Sequence, residues 1–314
     1  MATYQTYTAI GQREDLSDVI YNISPTDTPL MSSIGKTKAT AVYHEWQTDS
    51  LAAAALGGAV EGADASDATM SPTSRVGNRT QIFQKTIKIA GTLESVDKAG
   101  RKSEKAYQLA KASAEIKRNI ELSLVSNQVA AAGNSSTART LGGLQAWLST
   151  NGDFASDGAA GSGGTTARTE GTGRTFTETI LKTVVKEVYQ AGGNPKMLMV
   201  NPAHKQTVSG FAGIAAQRYM APSDSATTIV GAADVYLSDF GTMSVVPNRF
   251  MSSANEGDTC AFVIDPDMLA VAYLRSFRTE DLAKVGDAEK TQILAELTLE
   301  VRNEAACGLI GDLS

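Results

Sequence analysis

SEKAYQLAKASAEIKRNIELSLVSNQVAAA, residues 103–132, is the stretch on which the reading of the fold turns. Leu109, Ile116, Ile120 and Leu124 recur on one helical face, with Ala106 and Ala112 beside them, whereas Lys105, Lys111, Lys117, Arg118 and Glu121 lie elsewhere around it. Ser103 offers a side-chain cap, Glu104 suits the positive end of the helix, and Gly133 supplies a stop. At 1.5 Å per residue this predicts a helix about 45 Å long. That is more than a small globule needs, so the segment reads as a spine.

Upstream, residues 42–48 and 81–92 read as strands, the second with Phe83, Ile87 and Ile89 on one face. Between them lie about thirty residues rich in Ala, Gly, Ser, Thr and Asp, too long for an ordinary structureless loop. They hold an acidic cluster, Glu61, Asp64 and Asp67, followed by Arg75 and Arg79. The reading is an extended hairpin whose tip has too few large apolar residues to pack on itself. Before it, residues 1 to about 38 form a polar arm with two helical signals. Leu16, Val19, Ile20 and Ile23 share one face, and Thr28-Pro29 opens a short helix stopped by Gly35.

Downstream, residues 151–174 carry seven glycines among Ser, Thr and Ala and read as a mobile or externally packed loop, dispensable for folding. Thr175 and Glu178 read as a capping box for a helix with Leu181, Val184, Val185 and Val188 on one face, ended by Gly192-Gly193. Residues 196–200 read as a short buried strand, Asn201-Pro202 as a cap and helix start, and Ser238-Asp239-Phe240-Gly241 as a hairpin turn. Strands follow at 260–264 and 269–274. Ile293, Ala295, Leu297, Leu299 and Val301 then alternate with polar neighbours, so Glu296 and Glu300 read as solvent-facing. The class is α+β.

Lys and Arg number 28 against 34 Asp and Glu, a net charge of −6, which argues against a partner held by general phosphate neutralisation. Two cysteines, Cys260 and Cys307, cannot build a disulfide framework or a four-thiolate metal site. Neither a secretory signal nor an apolar run of about 20 residues is present, so the reading is a soluble chain made in the cytoplasm. Of the two histidines, His44 reads as a surface or interface residue and His204 has no evident partner. Cys260, inside Cys260-Ala261-Phe262-Val263-Ile264, reads as a small buried hydrophobe rather than a nucleophile. Gly35-Lys36-Thr37 lacks the leading glycine of a phosphate loop, since Leu30 stands there. No catalytic residue, cofactor site or metal site is assigned.

Several ordered motifs carry a resemblance. Pro25-Thr26-Asp27-Thr28-Pro29-Leu30, Asn78-Arg79-Thr80-Gln81-Ile82 and Ile89-Ala90-Gly91-Thr92 precede the spine. Gly142-Gly143-Leu144, Ala191-Gly192-Gly193-Asn194-Pro195, Ser238-Asp239-Phe240-Gly241 and Val246-Pro247-Asn248-Arg249 follow it. In this order and spacing the chain resembles the major head proteins of tailed bacteriophages. The resemblance implies the Hong Kong 97-type capsid fold: an N-terminal arm at 1–40, an extended loop with flanking strands at 41–92, a peripheral domain with the spine at 93–180, an axial domain at 181–269, and a return to the peripheral domain at 270–314. It implies self-assembly into pentamers and hexamers of an icosahedral or prolate head, virion localisation, and assembly in the bacterial host cytoplasm. Implied partners are further copies of the chain, a portal protein, a separate scaffolding or decoration protein, and packaged double-stranded DNA through non-specific contact, with no membrane. Only about a dozen residues precede the first helical signal, so no N-terminal maturation cleavage is expected.

Two other functions compete: an encapsulin-like nanocompartment shell of the same fold, and a hydrolase using Cys260 or His204. For the capsid reading, the expected inter-subunit contacts are Glu61, Asp64, Asp67, Arg75 and Arg79 on the loop, with Arg101, Lys102 and Lys105 at the start of the spine.

Overall fold

A computed structural model describes residues 24, 26–58, 60–62, 64, 67, 70–98, 100, 102–211 and 234–314. The first arm signal, at residues 15–23, lies outside them. The helices are α1 (Pro29–Ser33), α2 (Gly91–Ser95), α3 (Glu104–Leu124), α4 (Leu144–Trp147), α5 (Glu178–Gln190) and α6 (Pro202–Ser209). The strands are β1 (Gly35–Lys38), β2 (Tyr43–Thr48), β3 (Ser74–Arg79), β4 (Gln81–Ala90), β5 (Gly152–Asp153), β6 (Met197–Val200), β7 (Val235–Ser238), β8 (Gly241–Pro247), β9 (Ala261–Ile264), β10 (Leu269–Leu282), β11 (Ala288–Val301) and β12 (Gly308–Ile310).

They form a four-stranded sheet in the order β1-β10-β11-β4, a six-stranded sheet in the order β5-β12-β9-β6-β8-β7, and the separate two-stranded ribbon β2-β3. The spine α3 presents Ile116, Ile120 and Leu124 to the first sheet, where they share one apolar core with Phe83, Ile293, Leu297 and Leu299. A second core forms between α5 and the six-stranded sheet, from Leu181, Val184, Val185 and Val188 against Leu198, Val200, Val245 and Val263. Of the segment 270–314, β10 and β11 run in the first sheet and β12 in the second.

Ser103 caps the spine as expected, accepting from the amide of Ala106. The helix ends at Leu124, however, and is about 32 Å long rather than 45 Å. Its end is fixed by competing partners: Gln145 donates to the carbonyl of Val125, and Gln128 donates to Gln81 and to the carbonyl of Leu141. Gly143 lies so close that a Cβ there would stand 2.2 Å from the carbonyl oxygen of Ser126.

Glu121, read as one of the charges away from the apolar face, is buried. Its carboxylate accepts from the amides of Leu30 (2.7 Å) and Met31 (2.9 Å) and from the side-chain amide of Asn248 (2.8 Å). Thr28 makes no side-chain cap to α1; the acid from the spine satisfies the helix-end donors instead. One residue thereby joins the arm helix, the spine and the second sheet.

Three further expectations change. The long excursion contains β3, and the ribbon pairs β2 with β3 from Tyr43↔Arg79 to Thr48↔Ser74, while β4 pairs with β11. The cap of α5 is Thr177, not Thr175. The 151–174 loop is built into the fold: Arg168 and Asp312, both fully buried, are joined at 2.7 Å, and Asp312 also accepts from the amides of Ala155 and Gly171. Gly164 packs on the indole of Trp147, leaving no room for a side chain. Asn201 caps α6, and Gly192 adopts φ +92° beyond the end of α5, both at the positions read from the sequence.

Candidate functional site

The β2-β3 ribbon carries a tip, described at residues 49–58, 60–62, 64, 67 and 70–73, beyond a firmly held base. At the base, Asn78 is fully buried and makes four hydrogen bonds. Its amide nitrogen donates to the carbonyls of Gly142 (3.0 Å) and Leu299 (2.9 Å). Its oxygen accepts from the amides of Gly142 (2.8 Å) and Arg79 (2.9 Å). Two residues on, Thr80 donates to Glu296 at 2.9 Å, and the amide of Thr80 returns to the carbonyl of Val42. Trp46 packs on Trp147 with ring centroids 5.4 Å apart.

Below the base lies the face of β11 read as solvent-exposed, and Glu296 and Glu300 are both buried there. Glu296 is held by Arg139, by Arg275 at 2.6 Å and by Thr80. Glu300 accepts from Thr37 (2.6 Å) and Arg302 (3.1 Å) and lies 3.2 Å from Nε2 of His44. Burial pushes the Glu300 carboxyl up, but the bonds from Thr37, Arg302 and His44 outweigh it and hold the group below its ordinary range. His44 is therefore a member of the seam beneath the ribbon rather than a surface histidine. Asn78, Thr80, Arg139, Arg275, Glu296 and Glu300 were not read as site residues. Their signal was the run Asn78-Arg79-Thr80-Gln81, four polar residues where a strand is about to enter a core.

The tip carries no such anchors among its described residues. Leu51 is 98% and Met70 90% exposed, and Leu56 and Val60 are exposed as well. Glu61, Asp64 and Asp67 are all exposed on it. Arg75 reaches across the ribbon to Glu45 at 2.8 Å, and the Arg79 guanidinium sits 5.1 Å from the Tyr43 ring centroid. At the start of the spine, Lys102 is exposed. Lys105 bonds Asp281 (3.1 Å) and Glu289 (3.4 Å) of its own chain, and the bond to Asp281 is the largest cause of its raised pKa. Arg101 lies outside the described residues. Within the chain, no ion pair joins the described tip acids to Lys102 or Lys105.

His204 Nε2 lies 2.7 Å from the carbonyl of Asp258, and the Cys260 thiol contacts the carbonyl of Gly257. Burial pushes the thiols of Cys260 and Cys307 up to about 12. Among the described residues, no group of three or more His, Cys, Asp or Glu is placed to hold a metal, and no helix is long and apolar enough to cross a membrane.

A family model described as SU10 major capsid protein matches residues 2–314. The chain belongs to that family. It is a bacteriophage capsid subunit, a structural component of the virion. The major capsid protein of Escherichia phage Phieco32 is 28% identical over 342 aligned positions, covering 98% of this chain and 96% of that protein. Among solved structures, the capsid asymmetric unit of cyanophage A-1(L) superposes with a TM-score of 0.72 at 12% identity, covering 96% of this chain and 97% of the other. The holo-SrpI encapsulin complex of Synechococcus elongatus PCC 7942 gives 0.56 at 10% identity, covering 100% and 97%. The α+β, Hong Kong 97-type fold implied by the sequence motifs is the fold of this capsid subunit.

Proposed function

We propose that the capsid subunit closes into pentamers and hexamers of an icosahedral or prolate head around double-stranded DNA, and that it performs no turnover. The observation that carries this is the ribbon: a base bolted by Asn78 and Thr80, and a tip that exposes Leu51, Leu56, Val60 and Met70 with no described residue packed over them. Large apolar side chains displayed on a rigid support mark a surface for another molecule, and a second copy is the partner a shell supplies. Further partners in this reading are a portal protein and a scaffolding or decoration protein, with synthesis and assembly in the bacterial host cytoplasm. The domain scheme is arm 1–40, extended loop 41–92, peripheral domain 93–180 with 270–314, and axial domain 181–269.

Contacts between copies run from Glu61, Asp64 and Asp67 of one tip, with Arg75 and Arg79, to Arg101, Lys102 and Lys105 of a neighbour. Because Lys105 already serves Asp281 and Glu289, Arg101 and Lys102 carry the larger share. Electron microscopy and ultraviolet absorbance of purified particles test the reading: large closed shells with strong 260 nm absorbance are expected, and a chain that never assembles would overturn it. The likeness to an encapsulin favours one alternative, a nanocompartment enclosing a cargo enzyme. Small shells free of nucleic acid would establish it.

A further inference from the structure

At Glu121 the arm helix, the spine and the end of β8 meet on a single carboxylate. One oxygen is shared: Oε1 accepts from the amide of Leu30 at 2.7 Å and from Nδ2 of Asn248 at 2.8 Å, while Oε2 accepts from the amide of Met31 at 2.9 Å. On the arm side, α1 is five residues long, too short to persist alone, and Thr28 gives it no side-chain cap. Its Leu30 and Met31, with Ile34, are buried in the core that contains Ile116, Ile120 and Leu124 of the spine. The β1 strand that follows is an edge strand, paired with β10 alone over four positions. On the other side, Asn248 is fully buried. Its amide donates to the carbonyl of Val200 at 2.8 Å, and its Oδ1 accepts from the amide of Phe250 at 2.9 Å, which fixes the turn 247–250 to the end of β6. Besides Glu121, Nδ2 reaches the thioether sulfur of Met199 at 3.3 Å, a weak acceptor.

We propose that this carboxylate is a latch coupling the seating of the arm to the turn after β8: when α1 lifts from the spine the turn loosens, and when the turn is drawn away the arm is released. Lifting α1 removes two of the three donors, and a charge with one donor left is unfavourable away from water. The side chain then turns into the space that α1 has vacated, and Nδ2 of Asn248 is left in the interior with the thioether. The reverse displacement takes away the third donor and weakens the hold on Leu30 and Met31. Coupling of this kind is reciprocal by necessity. The latch is also proton-linked. Burial pushes the Glu121 carboxyl above its ordinary 4.5, against the pull of the Met31 and Leu30 amides and of Asn248. The charged side chains on the surrounding elements are Lys117 and Arg118 one turn back on the spine, Arg249 beside Asn248, and Asp27 and Lys36 flanking α1. None of them contributes to the shift. Once α1 lifts, water returns the carboxyl toward its ordinary value, so seating the arm takes up a proton. The latch is therefore firmest below the ordinary value and slackens as pH rises through the raised one. It belongs to the single subunit and stands apart from the reading of the closed shell.

The test is hydrogen–deuterium exchange of the full-length, unassembled subunit, with protection corrected for the intrinsic exchange rate at each pH. Peptides covering 29–38 and 247–251 should lose protection together as pH rises above the ordinary carboxylate value. Glu121→Gln keeps the size of the side chain and removes its charge, and both segments should then hold a constant protection. Ile34→Ala, at the far end of α1, should lower the protection of the first segment and, through the latch, of the second by about tenfold, the order expected for one charge-assisted hydrogen bond. In a Glu121→Ala background the link is gone, and Ile34→Ala should act on the first segment alone. Should that variant not fold, the pH profiles of the unsubstituted chain and Glu121→Gln decide. A second segment indifferent to Ile34→Ala, or to pH where the first responds, would overturn the coupling. An equal effect on the second segment without Glu121 would assign the coupling to the apolar core instead. A pH dependence that persists in Glu121→Gln would assign it to another group, and either result would sink the latch.

Discussion

Asn78→Ala should free the ribbon from the body of the subunit without altering its tip. The substitution removes four hydrogen bonds at once. Both Gly142 groups and the Leu299 carbonyl are then left in buried surroundings without this partner. A buried polar group that loses its partner costs about 1–3 kcal/mol. Three such groups, with some relief from water entering the space, give a destabilisation of about 3–5 kcal/mol. That is a large part of the roughly 5–15 kcal/mol that holds an ordinary domain together. The chain has only two tryptophans, and Trp46 and Trp147 pack on each other directly beside the site. Urea unfolding of the unassembled subunit followed by tryptophan fluorescence therefore reads the ribbon base, while circular dichroism reads the sheets. The fluorescence transition should move to lower urea, and shell yield should fall with it. A loss below about 1 kcal/mol with normal shells would refute the claim that Asn78 anchors the ribbon.

Glu121 gives a pH-dependent counterpart: burial pushes its carboxyl above the ordinary 4.5, against the pull of its three donors. Since the folded value is the raised one, its contribution is greatest below the ordinary value and declines as pH rises through the raised value. The stability advantage of the unsubstituted chain over Glu121→Gln should shrink as pH rises above the ordinary carboxylate value, and a flat difference would contradict this. Arg168→Met leaves Asp312 buried and unpaired and should cost about 3–5 kcal/mol in thermal or urea unfolding; Lys182→Met, at an exposed pair with Glu178, should change little. With both thiols pushed up to about 12, the native chain should not react with a disulfide reagent at neutral pH, and both cysteines should react in urea. Reversing Glu61, Asp64 and Asp67 to Lys should leave circular dichroism unchanged and block shell closure, and added reversal of Arg101, Lys102 and Lys105 to Glu should restore it. Normal shells from the first variant would exclude the tip acids from the interface.

Much of the fold was legible because local chemistry decides it. Ser103 and Asn201 cap their helices through their own side chains, and the period-two run at 293–301 places β11. What alternation cannot say is what covers the polar half of a strand. Glu296 and Glu300 look solvent-facing until a ribbon more than two hundred residues away in sequence closes over them. Glu121 was hidden for the same reason, since its role is set by donors 90 and 91 residues earlier. β3 has Arg, Gly and Asn where strands usually have branched residues, and its register comes from β2. The 151–174 loop misled through composition: its glycines read as freedom, but Gly161 and Gly164 are needed because backbone and indole approach too closely for a side chain. The expected assembly residues were set by charge, which marks what is exposed. The anchors that hold the ribbon are buried and carry no such mark.

β12 has a consequence for the timing of synthesis. It lies inside the six-stranded sheet, between β5 and β9, and Asp312 just after it is gripped by Ala155, 157 positions earlier, and by Arg168 and Gly171. At ~5–20 residues per second, the ribosome needs roughly 8–30 s to pass from one side of that contact to the other. Throughout that interval β5 lacks the strand that joins it to the sheet, as does β9 once it has been made, and the 151–174 loop lacks the carboxylate that holds it. A nascent chain therefore cannot offer a finished wall segment to copies already folded nearby on the same message. Chains cut short before β12 would lack both the joining strand and the Asp312 carboxylate.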